Sequence, residues 1–170
     1  MRIAIDATAL YGRYGGVEYA LWNLLCALHA EDTQNEYVLY IPRDGPPHAR
    51  LDNFNARWRW NRLPFCGEQK LRRIFWQQKL LPQQLLRDGC DILHAPTYIA
   101  PWSTPVPTVV TVYDLIALSH PRFATAPNRL HYGALLPRSI QNAARIIAPT
   151  RTVANEIETR FPSARAGVVP

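Results

Sequence analysis

The sequence predicts an α/β protein with a doubly wound, mainly parallel, Rossmann-like sheet and helices on both faces. Two observations predict this class. Strand-like and helix-like patterns alternate along the 170 residues, and alternation of this kind is typical of parallel sheets. Several apolar runs also stop abruptly at polar residues, as buried parallel strands do at their carboxyl ends. The length suits one ordinary domain.

The chain begins with a strand, a glycine loop and a helix. Arg2–Ala7 is the predicted strand, and the loop Thr8–Gly16 contains glycines that permit close backbone approach to a ligand. Val17–Ala30 places its apolar residues at the spacing of a helix packed on a sheet. The first unit of the predicted fold is therefore β-loop-α.

The middle of the chain continues with two strands, a long helix and another strand. Glu36–Ile41 and Arg57–Leu63 are the predicted strands. Glu68–Arg87 has helical periodicity, with Pro82 as a predicted kink or join. Asp91–Ala95 is the next predicted strand.

The second half repeats the alternation, and Thr150 is the predicted N-cap of its last helix. The predicted elements are strand Thr108–Val112, helix Asn128–Ala144 with a possible kink at Pro137, strand Arg145–Ala148, helix Arg151–Phe161 and strand Gly167–Pro170. A chain that stops on entering a strand is expected to be a fragment cut at a domain boundary.

Composition indicates a globular protein without a membrane span. The hydrophobic fraction is 48% and the charged fraction 19%, and no apolar stretch approaches the roughly 20 residues that cross a bilayer. The N-terminus lacks a signal-peptide core, which predicts a cytoplasmic location, with possible peripheral contact at the inner face of the membrane. Three separated cysteines, Cys26, Cys66 and Cys90, are expected to be reduced core residues.

The net charge is positive. Nineteen basic and 13 acidic residues give +6, which favours anionic partners without choosing among phosphates, nucleic acid and acidic lipid. The segment Arg57–Lys79 mixes basic and aromatic residues. This mixture suits either an anionic membrane interface or an amphipathic helix with core aromatics and a solvated basic face. No nucleic-acid-binding module is indicated.

The segment Asp91–Leu118 is the strongest candidate for a functional site. It contains two apolar runs that end in polar residues, joined by a loop rich in proline and aromatics. Open α/β sheets bind ligands at the carboxyl ends of their strands. We therefore expect a site near His94, Tyr98, Tyr113 and Asp114.

Four segments in order resemble the N-terminal domain of retaining family-4 glycosyltransferases, which have the GT-B architecture of two facing Rossmann-like domains. They are Ile5–Leu28 (IDATALYGRYGGVEYALWNLLCAL), Asp91–Pro101 (DILHAPTYIAP), Pro105–Leu118 (PVPTVVTVYDLIAL) and Ala143–Ile157 (AARIIAPTRTVANEI). The resemblance that these segments carry extends over nearly the whole chain. The resemblance implies that residues 1–170 form a single acceptor-side domain and that the C-terminal, donor-binding domain is absent.

The resemblance also implies an activity. A hexosyltransferase-like enzyme would transfer a sugar from a nucleotide-sugar donor to a hydroxyl of a glycan or lipid-linked acceptor, with retention, as in polysaccharide biosynthesis. No cofactor and no metal ion are expected. Because the donor is held mainly by the other domain, the isolated chain is expected to be inactive.

The candidate catalytic residues are Tyr113 and Asp114. The family usually has a histidine before this aspartate, which contacts the donor sugar, and Tyr113 takes its place here. A phenol keeps a positioning role but not the acid/base role of an imidazole. Asp114 either accepts a hydrogen bond from a hydroxyl or caps a neighbouring backbone amide.

The candidate substrate-binding residues are Gly15, Gly16, His94, Tyr98 and Trp102. The two glycines precede a helix, so their amides either face a diphosphate or only form a tight turn. His94 is either a ligand contact or a satisfied buried histidine. Tyr98 and Trp102 either form a wall for a sugar ring or lipid or anchor their loop.

Two other functional classes stay open from the residues alone. The first is a Rossmann-like domain that binds an anionic ligand without catalysis. The second, a dinucleotide-dependent oxidoreductase, is disfavoured because the first loop lacks the glycine fingerprint and no acidic residue closes the strand Glu36–Ile41.

Overall fold

The computed structural model describes residues 1–12, 15–47, 51–119, 126–164 and 166–168. The chain divides into two compact units, Met1–Leu93 and His94–Pro170. Strand β4, Ile92–Ala95, contains the last two residues of the first unit and the first two of the second.

In the first unit, the described residues form parallel strands in the order β3-β2-β1. They are β1 (Arg2–Asp6), β2 (Glu36–Ile41) and β3 (Trp58–Arg62). The β1–β2 register runs from Arg2 opposite Glu36 to Asp6 opposite Tyr40, and the β2–β3 register from Tyr37 opposite Trp58 to Ile41 opposite Arg62. Parallel pairing of strands consecutive in sequence requires a crossover between them.

Helix α1 (Gly16–Glu31) is the crossover between β1 and β2. Its buried leucines, Leu21 and Leu25, join Ile5 and Leu39 of the strands in one apolar cluster. The predicted apolar stripe of this helix is therefore confirmed. Cys26, in contrast, is exposed, so the expectation that it is a core residue was wrong; it follows Leu25 and points away from the buried stripe.

The predicted helix Glu68–Arg87 consists of three pieces. Helix α2 (Lys70–Phe75) is followed by a single π-helical turn (Trp76–Leu80) and helix α3 (Leu81–Arg87). Pro82 lies in the first turn of α3, the part of a helix in which proline is best tolerated. The join predicted near Pro82 is confirmed, whereas the π-helical turn before it was not predicted from the helical periodicity.

In the second unit, the part of the chain that the structure describes forms parallel strands in the order β5-β6-β7. They are β5 (Thr108–Thr111), β6 (Arg145–Ala148) and β7 (Ala166–Val168). Residues 169 and 170, part of the predicted last strand, lie outside the described residues.

Among its described residues, the second unit has three helices: α4 (Ile116–Ser119), α5 (Ala126–Asn142) and α6 (Arg151–Arg160). Pro137 lies inside α5, which continues to Asn142. The Thr150 hydroxyl accepts a hydrogen bond from the Val153 amide at 3.3 Å, so the predicted N-cap of α6 is confirmed. Among the described residues, none of the helices is long and apolar enough to cross a membrane.

Candidate functional site

Tyr98 ties the loop after β4 to the carboxyl end of β5. Its amide donates to the Thr111 carbonyl at 3.1 Å, and its hydroxyl donates to Asp114 Oδ2 at 2.7 Å. Its φ is +69°, a left-handed conformation that is uncommon for a bulky side chain and persists only where the surroundings enforce it. The two hydrogen bonds hold this loop in one conformation.

Asp114 caps the helix that follows it. Its Oδ1 accepts a hydrogen bond from the Ile116 amide at 2.9 Å, while Oδ2 is occupied by Tyr98. The capping alternative is therefore what the structure shows. A carboxylate offers about four acceptor positions, so an acceptor position also remains for a ligand hydroxyl.

Tyr113 belongs to a group of three aromatic side chains that we call the tyrosine cluster: Tyr98, Tyr113 and Tyr132. The Tyr98 ring packs edge-on against Tyr113, at 5.5 Å between ring centroids, and against Tyr132, at 5.7 Å. Partial burial raises the pKa of Tyr113, so its phenol is neutral at pH 7. Its hydroxyl makes no hydrogen bond to a described residue and is able to donate one to a ligand.

His94 is a satisfied buried histidine. Its Nε2 lies 2.9 Å from the Thr111 hydroxyl, and 9% of the residue is exposed. Burial lowers the pKa of the imidazole to about 4, because the charged form loses its hydration. At neutral pH His94 therefore carries no positive charge with which to bind a phosphate.

Trp102 lies apart from the tyrosine cluster. Its carbonyl accepts from the Asn142 side chain at 2.9 Å, and the Arg138 guanidinium stacks on its ring at 4.4 Å. It lines a groove of about 500 Å³ together with Thr108, the first residue of β5. Asp114 follows the other end of β5, so the structure does not bring Trp102 together with Tyr98 and Asp114.

Gly15 and Gly16 begin helix α1 in the first unit. Gly15 is the N-cap with φ of −75°, and no side chain caps this helix end. A Cβ on either glycine would meet no atom within 4 Å, so the backbone here faces open space. Glu18 accepts a hydrogen bond from the Gly12 amide at 2.7 Å, and its carboxylate therefore satisfies one donor of the loop.

Two polar residues missed in the sequence analysis, Asp6 and Gln77, form a buried pair. The fully buried Asp6 accepts from the Thr8 amide and hydroxyl, at 3.2 and 2.7 Å, and from Gln77 Nε2 at 2.7 Å. This pair fixes the start of the glycine loop at the carboxyl end of β1. The sequence contains a signal for Asp6, because it is the polar residue at the end of an apolar strand. Asp114 was predicted from the same pattern, since it follows such a strand.

Comparison with known protein families decides the family. The model described as Glycosyltransferase Family 4 matches residues 14–170. The chain belongs to glycosyltransferase family 4. No curated protein matches this family-4 sequence.

The family-4 chain is also similar to a solved structure, that of Phytolacca americana UGT2 complexed with UDP-2fluoro-glucose and pterostilbene. The TM-score is 0.61 at 11% sequence identity, over 99% of this chain and 52% of that one. The chain thus spans about half the length of UGT2. At this identity the likeness shows the fold alone, and it confirms the predicted Rossmann-like α/β class.

The chemistry available at the carboxyl end of β5 in this family-4 chain is hydrogen bonding by neutral and anionic oxygen groups. The Tyr113 phenol is able to donate a hydrogen bond and the Asp114 carboxylate to accept one, and both residues follow the buried strand β5. No group of three or more His, Cys, Asp or Glu residues that could hold a metal ion occurs within the described ranges. The arrangement suits a ligand rich in hydroxyl groups.

Proposed function

We propose that this chain is the acceptor-side domain of a GT-B glycosyltransferase. In the proposed reaction, a sugar passes from a nucleotide-sugar donor to a hydroxyl of a glycan or lipid-linked acceptor, with retained anomeric configuration. The observation that carries this proposal is the family match over residues 14–170. The nucleotide sugar is a substrate, and no cofactor or metal ion is proposed, as the resemblance to retaining enzymes implies.

The chain spans about half the length of UGT2, and the resemblance to GT-B enzymes implies a second, donor-binding domain in the full-length protein. A separate half for the donor means that residues 1–170 alone lack most of the nucleotide contacts. We therefore propose that the isolated chain has no transferase activity. This arrangement gives the two halves different tasks, acceptor placement here and donor binding in the other domain.

We assign positioning of substrate hydroxyls to Tyr113 and Asp114. Asp114 is held by Tyr98 and the Ile116 amide, so an acceptor hydroxyl that donates to it meets a fixed carboxylate. Tyr113 has an unused phenol hydroxyl among the described residues and a raised pKa, which suits donation of a hydrogen bond without loss of the proton. Fixed hydrogen-bonding groups of this kind lower the entropic cost of bringing reactants together.

The test is a mass-spectrometric screen of the full-length protein against a panel of nucleotide sugars with mixed glycan and lipid-linked acceptors. We expect one donor to be consumed, with release of its nucleotide and a product heavier by one sugar. Residues 1–170 tested in parallel should consume none. A reading frame that ends at Pro170, or binding of an anionic ligand without donor consumption, would support the stand-alone binding domain instead.

A further inference from the structure

The first unit carries an apolar groove beside helix α2. The groove has a volume of about 490 Å³ and is lined mainly by Phe65, Leu71, Phe75, Trp76 and Leu80, with Arg72 at its rim. Phe65 and Trp76 form its buried floor, since they are 4% and 5% exposed. We call this groove, together with the basic residues Arg72, Arg73 and Lys79 of the same helical segment, the α2 face.

The rim of the groove is unusually exposed for apolar side chains. Leu71, Phe75 and Leu80 are 83%, 60% and 44% exposed, although they line one groove rather than being scattered. Single exposed leucines are common on protein surfaces, whereas a contiguous apolar patch with a polar rim marks an interaction site. The three side chains are therefore available to enter an apolar phase.

The same segment is strongly basic. Residues 69–87 include Lys70, Arg72, Arg73, Lys79 and Arg87 and contain no Asp or Glu. Within the described part of the chain, Arg72, Arg73 and Lys79 form no ion pair with a carboxylate. Partial burial and the neighbouring charge of Arg73 lower the pKa of Lys70, as expected where like charges crowd together.

We propose that the α2 face docks on an anionic lipid surface. Leu71, Phe75 and Leu80 enter the boundary between headgroups and acyl chains, while Arg72, Arg73 and Lys79 bind lipid phosphates. Apolar burial and electrostatic attraction act together in such interfacial segments. This inference goes beyond the proposed glycosyl transfer and uses none of the residues assigned to it.

The positive charge of the α2 face, together with its apolar groove, favours an anionic lipid surface over other partners. Two copies meeting through this face would bring two clusters of positive charge together, which opposes association. A nucleic acid or acidic polysaccharide would use the arginines but would leave Leu71 and Phe75 in water. A negatively charged membrane is the partner that matches both the apolar and the basic parts of the face.

The proposal is tested by sedimenting residues 1–170 with two kinds of vesicle. One consists of phosphatidylcholine alone, and the other also contains about 30% phosphatidylglycerol, which gives it a clear negative surface potential. We expect binding to the anionic vesicles that weakens with added salt, because salt screens the attraction. The double variant Leu71→Ser/Phe75→Ser should bind about tenfold more weakly or worse. The charge variant Arg72→Glu/Arg73→Glu should lose at least as much, since each basic residue contributes about fivefold.

Two matched variants control for general effects. Leu86→Ser removes a leucine that is 65% exposed on α3 but does not line the groove, and Arg151→Glu reverses an exposed charge at the start of α6. Both should bind like the original chain. Circular dichroism checks that each variant is folded, and the charge variant retains the test if the apolar variant fails to fold.

Three outcomes would overturn the proposal. These are no binding to anionic vesicles, equal binding to neutral vesicles, and unchanged binding of both α2-face variants. A dimer in sedimentation velocity that Phe75→Ser dissociates would assign the face to a second copy instead. Because the assay contains no nucleotide sugar, its failure leaves the proposed glycosyl transfer untouched.

Discussion

At the scale of single residues, Tyr98 has the most connections in the candidate site. Its hydroxyl holds Asp114, its amide binds β5, and its ring touches both other tyrosines of the cluster. A tyrosine with positive φ is strained by itself. These contacts offset the strain and keep the residue in place.

Removing the Tyr98 hydroxyl should destabilise the chain. Tyr98→Phe loses the hydrogen bond to the Asp114 carboxylate, and a bond to a charged group contributes about 2 kcal/mol. Tyr113→Phe is the matched control, because the Tyr113 hydroxyl bonds to no described residue, and it should cost under about 0.5 kcal/mol. Urea unfolding of the two variants measures both values, and equal losses would contradict the assignment.

His94 should make stability depend on pH. In the folded chain its pKa is about 4, whereas an imidazole in an unfolded chain titrates near 6.5. Below pH 6.5 the unfolded chain therefore binds more protons, and the free energy of unfolding falls as the pH is lowered toward 4. Over that interval His94 should account for roughly 3 kcal/mol of the fall.

The measurement is urea unfolding between pH 7 and 4 for the original chain and for His94→Asn. The asparagine variant has its own loss of stability, so the comparison concerns the slope with pH and not the absolute value. A flatter profile for the variant is expected. Parallel profiles would mean that the His94 imidazole is not held neutral by burial.

The candidate site residues differ in how well their predicted positions agree with the structure. The polar residues that end apolar runs were placed at the end of β5 as predicted, because strand direction alone determines that position. Trp102 was grouped with Tyr98 only because both belong to one loop, and that loop runs on toward the amino end of β5. Sequence proximity in a long loop does not report position along a sheet.

At the scale of elements, the π-helical turn between α2 and α3 has a structural consequence. The turn contains Gln77, which is buried against Asp6. A buried carboxylate is costly unless its acceptor positions are filled. The turn therefore supports the first strand and the glycine loop that follows it, and π-helical insertions often occur at functional sites.

Gln77→Leu should test this connection. The leucine fills similar space but leaves Asp6 with only its Thr8 hydrogen bonds, which should lower the free energy of unfolding by about 2 kcal/mol. Gln83→Leu, an exposed glutamine on α3, should change stability by less than about 0.5 kcal/mol. Thermal or urea unfolding distinguishes the two variants. An unchanged free energy of unfolding for Gln77→Leu would show that the Asp6–Gln77 hydrogen bond does not contribute to stability.

Sequence patterns predicted the strands from β1 to β6 to within about one residue at each end, because β-branched and aromatic runs bounded by turn residues are local signals. The predicted end of the last strand lies outside the described residues. The π-helical turn was missed because a regular 3.6-residue pattern does not reveal one inserted residue. Helix α4, Ile116–Ser119, was missed because four residues are too few for periodicity.

The aromatic residues of the segment Arg57–Lys79 differ in burial, since Trp58 and Trp76 are buried and Phe75 is exposed. This difference depends on tertiary packing.

At the scale of the whole molecule, the net charge and the family membership are the two features that concern the partners of the protein. The net charge of +6 left the kind of anionic partner open, and the α2 face is the location that we propose for one. The family and the fold were predictable because four sequence blocks occur in order. The sugar and the acceptor were not predictable, since they depend on contacts that the proposed roles of Tyr113 and Asp114 do not specify.

The central claim is that the protein transfers a sugar using the tyrosine and carboxylate at the end of β5. The most direct measurement is the initial rate of sugar transfer by the full-length protein and by its Tyr113→Phe variant, with the donor found in the screen. We expect transfer by the original protein and a rate lower by about tenfold or more in the variant, at unchanged stability, since one hydrogen bond in a transition state is worth at least that factor. Equal rates, or a full-length protein that consumes no nucleotide sugar, would contradict the account.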